Sequence, residues 1–172
     1  MASVRSRADR VRGAGKEPTI GIEDRLATLG VELPPPPAPV ASYVPVRVSG
    51  DLAFVSGQIA MSDGDLLHPG HLGAELTIEQ GREAARRCAL QALSALREAL
   101  GTLDRVEGVV QVSVFVASAP GFTDQSKVAN GASDLLVELF GEPGRHARAA
   151  VGVAELPLGA PVEVAMTVRI GA

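Results

Sequence analysis

Two charged residues near the C-terminus stand apart from their neighbours. Side chains of an extended chain point alternately to opposite faces. In residues 147–154, Val151 and Val153 therefore share one side, and Arg148, Ala150, Gly152 and Ala154 share the other. Arg148 projects from a face cleared of bulk. In the final apolar segment Val162, Val164, Met166, Val168 and Ile170 line one side, leaving Glu163, Ala165, Thr167 and Arg169 opposite. A guanidinium beside Ala and Gly leaves room for an anion, and its planar fork of donors matches a carboxylate bidentately. A carboxyl group with small neighbours can carry protons. The same two residues could equally form an Arg–Glu salt bridge at a subunit contact, and spacing alone leaves both readings open.

Topology constrains the pair further. A simple hairpin centred near Leu158-Gly159 would set Arg148 opposite Arg169 and leave Glu163 roughly 20 Å away, at about 3.4 Å per residue. The two groups can share a site only if another strand, with residues 106–118 as the candidate, lies between them in a different register, or if they meet across subunits.

Other chemistry-bearing residues carry less. His68 and His71 lie three apart, but in a loop broken by Gly64, Pro69, Gly70 and Gly73, with no third ligand in register. They read as exposed histidines, and no metal is expected. The single Cys88 shares a helical stripe with Ala85, Ala92, Leu96 and Ala99, the setting of a small core residue rather than a nucleophile. One cysteine excludes an intrachain disulfide framework and fits a reducing compartment. No run approaches the roughly 20 apolar residues of a membrane span, and no secretory signal core is present. A cytoplasmic protein without membrane partners is expected.

The elements that must position these residues follow from pattern. The chain has 172 residues, 46% hydrophobic and 21% charged, enough for one sizeable core. Aromatics are 3% with no Trp, and the formal net charge is −4, which disfavours nucleic-acid partners needing base-stacking surfaces and phosphate-neutralising cations. Residues 1–20 read as a flexible basic tail, with Arg5, Arg7, Arg10, Arg12 and Lys16; residues 21–172 read as one domain. Within it, 21–42 hold a short helix over Ile22–Leu33, with Gly30 as its stop, and a proline-rich strap at Pro34–Pro39. Two strands then join at Ser49-Gly50-Asp51. Thr77 and Gln80 fit a capping box that starts a long helix ending at Gly101. Residues 106–118 alternate as a strand, a second helix spans about Thr123–Phe140, and two strands close the chain across a Pro-Leu-Gly-Ala-Pro turn. The order β-β-α-β-α-β-β predicts an α+β fold, a mixed sheet with two long helices on one face. The other face would be left apolar, and self-association into a closed ring would cover it.

At this point the residues resemble a known family. The segment 148–157 (RAAVGVAELP), followed by Val162-Glu163-Val164, looks like the closing signature of the RidA/YjgF superfamily of reactive-intermediate deaminases. Tyr43 and the Ser56-Gly57-Gln58 triplet resemble its opening signature, and Asn130 falls where that family places a pocket asparagine. The likeness runs from about Ile22 to Ile170 and is closest to the longer branch once labelled endoribonucleases. It implies a chorismate-mutase-like fold, a homotrimer with pockets at its interfaces, and no cofactor. It further implies hydrolytic deamination of enamine/imine acids such as 2-aminoacrylate to 2-keto acids and ammonia. Arg148 would grip the substrate carboxylate and Glu163 would handle water and proton transfer. Tyr43, Ser56 and the Gly57 backbone would shape the reacting end, and Asn130 would assist from the helix. Ala150 stands where many members carry cysteine, and Ala60 where a proline is common, so pocket shape and substrate choice are this chain's own. Alternatives are a non-catalytic small-carboxylate binder or regulator and an endoribonuclease; acidic charge, few aromatics and no histidine pair on regular structure oppose the last.

Overall fold

The computed structural model describes residues 20–36 and 42–171. Residues 1–19 of the expected basic tail and residues 37–39 of the proline-rich strap lie outside those residues. A helix α1 (Ile22–Thr28) is followed by strands β1 (Val46–Ser49) and β2 (Leu52–Ile59), a small hairpin of β3 (Met61–Ser62) and β4 (Asp65–Leu66), and the long helix α2 (Ile78–Leu100). Strand β5 (Val106–Ala117), helix α3 (Gln125–Phe140) and strands β6 (Ala147–Val153) and β7 (Val162–Ile170) complete the chain. The predicted order of main elements holds.

Local chemistry fixes the ends. The Thr77 hydroxyl accepts from the Gln80 amide at 3.2 Å and the Gln80 side chain accepts from the Thr77 amide at 2.9 Å, so both arms of the capping box close. The first helix ends at Thr28, where Gly30, the expected stop, takes a left-handed φ of 63° and turns the chain.

Five strands form one sheet in the order β1-β2-β7-β5-β6, antiparallel except for the parallel β5–β6 pair. The closing strands are thus not a hairpin: β5 lies between them, one of the two arrangements the distance argument left open. The helix α2 and its neighbour α3 cover one face, and rows of buried residues run beneath them, Val55–Met166–Val112 and Val164–Val114 among them. Helix–helix contact is close. A side chain at Gly131 of α3 would collide with the Arg82 carbonyl of α2, so glycine is what lets the two backbones touch. Cys88 is fully buried, accepted into the core through its contact with the Val162 carbonyl at 3.4 Å, and burial pushes its thiol pKa up. The opposite face stays open and carries Phe54 and Val110, with Val151 of β6, as exposed hydrophobics.

Candidate functional site

Register decides where the two charged residues point. Arg148 pairs with Val112, a fully buried residue of the helix-covered face, so its side chain leaves the sheet on the helix side. Glu163 pairs with Phe115 and Ile59 and belongs to the open face, in a row Val151–Phe115–Glu163. Within one protomer the two are on opposite faces. They are also three residues apart along β5 and two strands apart across it, so their Cα atoms stand roughly 14 Å from each other at ordinary strand spacings. The structure therefore presents two separate corners.

The first corner lies where β6 meets α3. The buried rows of the helix side end on this edge strand in Arg148, Ala150 and Gly152, and Gln125 of α3 and Ser118 pack so close to Gly152 that a Cβ there would meet them. Arg148 Nη1 donates to Asn130 Oδ1 at 2.9 Å and to Ser133 Oγ at 3.0 Å, and Nη2 donates to the Ser126 carbonyl at 3.3 Å. Ser126, Asn130 and Ser133 fall at i, i+4 and i+7 on α3, one stripe of one helix. The guanidinium has five N–H donors, of which these contacts use three. Among the described residues, the Nε–H and one Nη2 hydrogen remain on an exposed side chain. A carboxylate can accept from such free guanidinium hydrogens.

The second corner lies at a bulge in β2. Between Val55 and Gln58 this strand takes three steps while β7 takes two, from Met166 to Val164, so one residue of the Ser56-Gly57 pair is extra. The bulge is tied to the segment before β1: Ser56 donates through its amide to the Pro45 carbonyl at 2.9 Å and through its hydroxyl to the Val44 carbonyl at 2.8 Å. This brings Tyr43, 48% exposed, to the same rim. The Gln58 amide donates to the Ser56 carbonyl at 3.0 Å. Glu163 folds over Gly57, and a Cβ at that position would fall on Glu163 Oε1, so glycine is what makes room for the carboxylate. No described side chain or amide hydrogen-bonds this carboxylate. Burial pushes its pKa above the ordinary carboxyl value.

All six sequence-selected residues thus fall into two sets. Arg148 and Asn130 are brought together, as are Tyr43, Ser56, Gly57 and Glu163, while the two sets are kept apart. Sequence reasoning missed Ser126, Ser133 and His146, whose only signals are the polar stripe on α3 and the two-residue spacing of His146 and Arg148. The loop histidines bind carboxylates, His68 Nε2 to Glu83 at 2.8 Å and His71 to Glu75 and Glu155. Among the described residues no cluster of three or more His, Cys, Asp or Glu could hold a metal ion, and no helix is long and apolar enough to cross a membrane.

Known proteins share this architecture. Residues 23–168 match the model of a family described as "YjgF/chorismate mutase-like, putative endoribonuclease". Protein TCP17 of Trypanosoma cruzi is 53% identical over 146 residues, 84% of this chain and 91% of its own length. The crystal structure of Atu1372 from Agrobacterium tumefaciens, 43% identical, covers 88% of this chain and 92% of its own with a TM-score of 0.80. A Shewanella oneidensis MR-1 protein named as an endoribonuclease is 33% identical, with 87% and 99% coverage and a TM-score of 0.83.

Proposed function

The chain belongs to the YjgF/chorismate-mutase-like family, and on that premise we propose that it hydrolyses small reactive enamine/imine acids of the 2-aminoacrylate type to 2-keto acids and ammonia, at sites built between protomers. The observation that carries this reading is the guanidinium of Arg148, held by α3 through three of its five N–H donors with two to spare among the described residues.

Assembly follows from where the corners lie. Arg148 is on the last strand of the sheet, while Tyr43, Ser56 and Gly57 belong to the first two strands and the segment before them. A head-to-tail contact sets the Arg148 edge of one copy on the Glu163 face of the next, and repeating it closes a ring. The exposed Phe54, Val110 and Val151 supply apolar surface for it. Three copies are what the family resemblance implies.

The chemistry needs little else. Arg148 anchors the carboxylate, which fixes the imine carbon relative to Glu163. Glu163 takes a proton from water as the water oxygen bonds to that carbon and passes it to the nitrogen, giving a carbinolamine; it then carries the hydroxyl proton to the amine nitrogen as the C–N bond breaks and the C=O bond forms, releasing ammonia and the keto acid. For an enamine substrate a proton first goes to the terminal carbon and one N–H proton is lost, giving the imine. A carboxyl titrating above its usual range holds a proton more readily than a free glutamate, which suits proton exchange.

The test is keto-acid release from 2-aminoacrylate generated in situ. Catalysed release that vanishes in Arg148→Ala supports the proposal; release no faster than buffer, or full activity in that variant, overturns it. Keto-acid binding by calorimetry with no turnover would instead identify a carboxylate-binding protein.

A further inference from the structure

We propose that Ser133 and His146 form a positioning pair that holds Arg148 in its carboxylate-binding rotamer; the inference rests on the carboxylate-binding reading above. His146 immediately precedes β6, and two residues along an extended chain it faces α3 as Arg148 does. Its Nδ1 is 2.6 Å from the Gly144 carbonyl and its Nε2 is 3.0 Å from Ser133 Oγ.

With a neutral imidazole, the direction of every bond in this chain follows from what each atom can do. A carbonyl only accepts, so Nδ1 carries the proton that it donates to Gly144. Nε2 of the neutral ring is then an acceptor, and the one hydroxyl proton of Ser133 goes to it. That leaves the Ser133 oxygen turned lone-pair first toward Arg148 Nη1, 3.0 Å away. Remove the imidazole and the hydroxyl is free to rotate its proton toward the guanidinium, replacing an acceptor with a repelling donor. Gly144 itself is pressed on α3, where a side chain would strike the Leu136 carbonyl, so the acceptor that orients His146 is anchored to the same helix as Ser133.

A merely structural role accounts poorly for this arrangement. Arg148 is exposed and on an edge strand, where a long side chain loses rotamer freedom for small gain in stability. The bonds to Asn130 and Ser133 consume both hydrogens of Nη1, and among the described residues the Nε–H has no partner. The pair thus spends its hydrogen bonds on orientation. Asn130 alone would fix one hydrogen of Nη1; Ser133 fixes the second and with it the plane of the fork.

The experiment uses the full chain with pyruvate as the binding probe and 2-aminoacrylate as the substrate. Ser133→Ala and His146→Phe are each expected to weaken pyruvate binding and raise KM by about 5- to 20-fold, with kcat far less affected. The double variant should lose no more than Ser133→Ala alone, because both act through one hydrogen bond. Ser133→Thr, which keeps the hydroxyl, should recover binding to within about threefold of the wild type. If Ser133→Ala does not fold, His146→Phe carries the same comparison. Variants that bind pyruvate like the wild type, or a Ser133→Thr as weak as Ser133→Ala, overturn the positioning role while leaving the deaminase reading intact. A wild type that neither binds pyruvate nor turns over substrate overturns both.

Discussion

The two corners of the molecule hold their charges in opposite ways. Arg148 is clamped by three hydrogen bonds from a single helix, whereas Glu163 has none from the described residues and is held by the shape of the Gly57 bulge. The clamped group keeps one charge at all working pH values, so fixing its geometry costs nothing in function. The unclamped group sits where reduced hydration pushes its pKa up, which leaves its protonation free to change. A permanently charged anchor is preorganised, and a proton carrier is left without a fixed hydrogen-bond partner among the described residues. The contrast is legible only because the strand register puts the two on different faces.

Breaking each corner separately has the largest expected effect. Arg148→Ala and Glu163→Gln should each lower kcat/KM by about 100-fold or more, the first mainly through KM and the second mainly through kcat. Each is inactive for a different reason, so their mixture is informative. In a head-to-tail ring every site draws its arginine from one copy and its glutamate from the next, so co-expressing the two variants should restore about a quarter of wild-type activity through random assembly. No recovery at all would place both residues in the site of one protomer and dissolve the two-corner picture.

A smaller loss should follow when the loose corner is crowded and the clamped one left alone. Gly57→Ala puts a methyl where Glu163 Oε1 lies, and should cut kcat by about 10-fold or more while pyruvate binding at the Arg148 corner falls much less. Equal losses in both would mean that the bulge shapes the whole fold and not one carboxylate. Asn130→Ala removes one of the three bonds to the guanidinium and should raise KM by about three- to tenfold, a milder version of the Ser133 effect.

How much of this was readable beforehand differs between the levels of structure. The capping box, the glycine stops at Gly30 and Gly101 and the hairpin at Gly50-Asp51 are local signals, and each appears where the sequence puts it. The β3–β4 hairpin was missed because two-residue strands are too short to display alternation. Alternation also assigned each closing strand its two sides correctly, since Arg148 shares a side with Ala150 and Gly152, and Glu163 one with Ala165 and Thr167. Whether those two sides face the same way is a different question. It depends on the register of β5 against both neighbours, a long-range property that no single strand's pattern contains. The same limit hid His146 and Ser133. They are 13 residues apart and meet only because a parallel crossover lays α3 against β6.

The smallest effect tests whether the corners neutralise each other when assembled. Glu163 titrates above its unfolded value because burial disfavours its charge, so the folded chain binds the proton more tightly than the unfolded one. Its contribution to stability is then fully present below the unfolded pKa and is lost as pH rises through the folded pKa. A glutamine never ionises and escapes that loss. Glu163→Gln should therefore melt above the wild type at pH 8 by on the order of 1–2 °C, a small shift because the carboxyl is half-exposed and partly screened. At pH 4 the gap should close. Scanning calorimetry of both proteins at the two pH values checks this. A wild type that is the more stable at pH 8 would mean that Glu163 is paired with a cation, as in a filled Arg148–Glu163 contact between copies, and such a contact has no room for substrate.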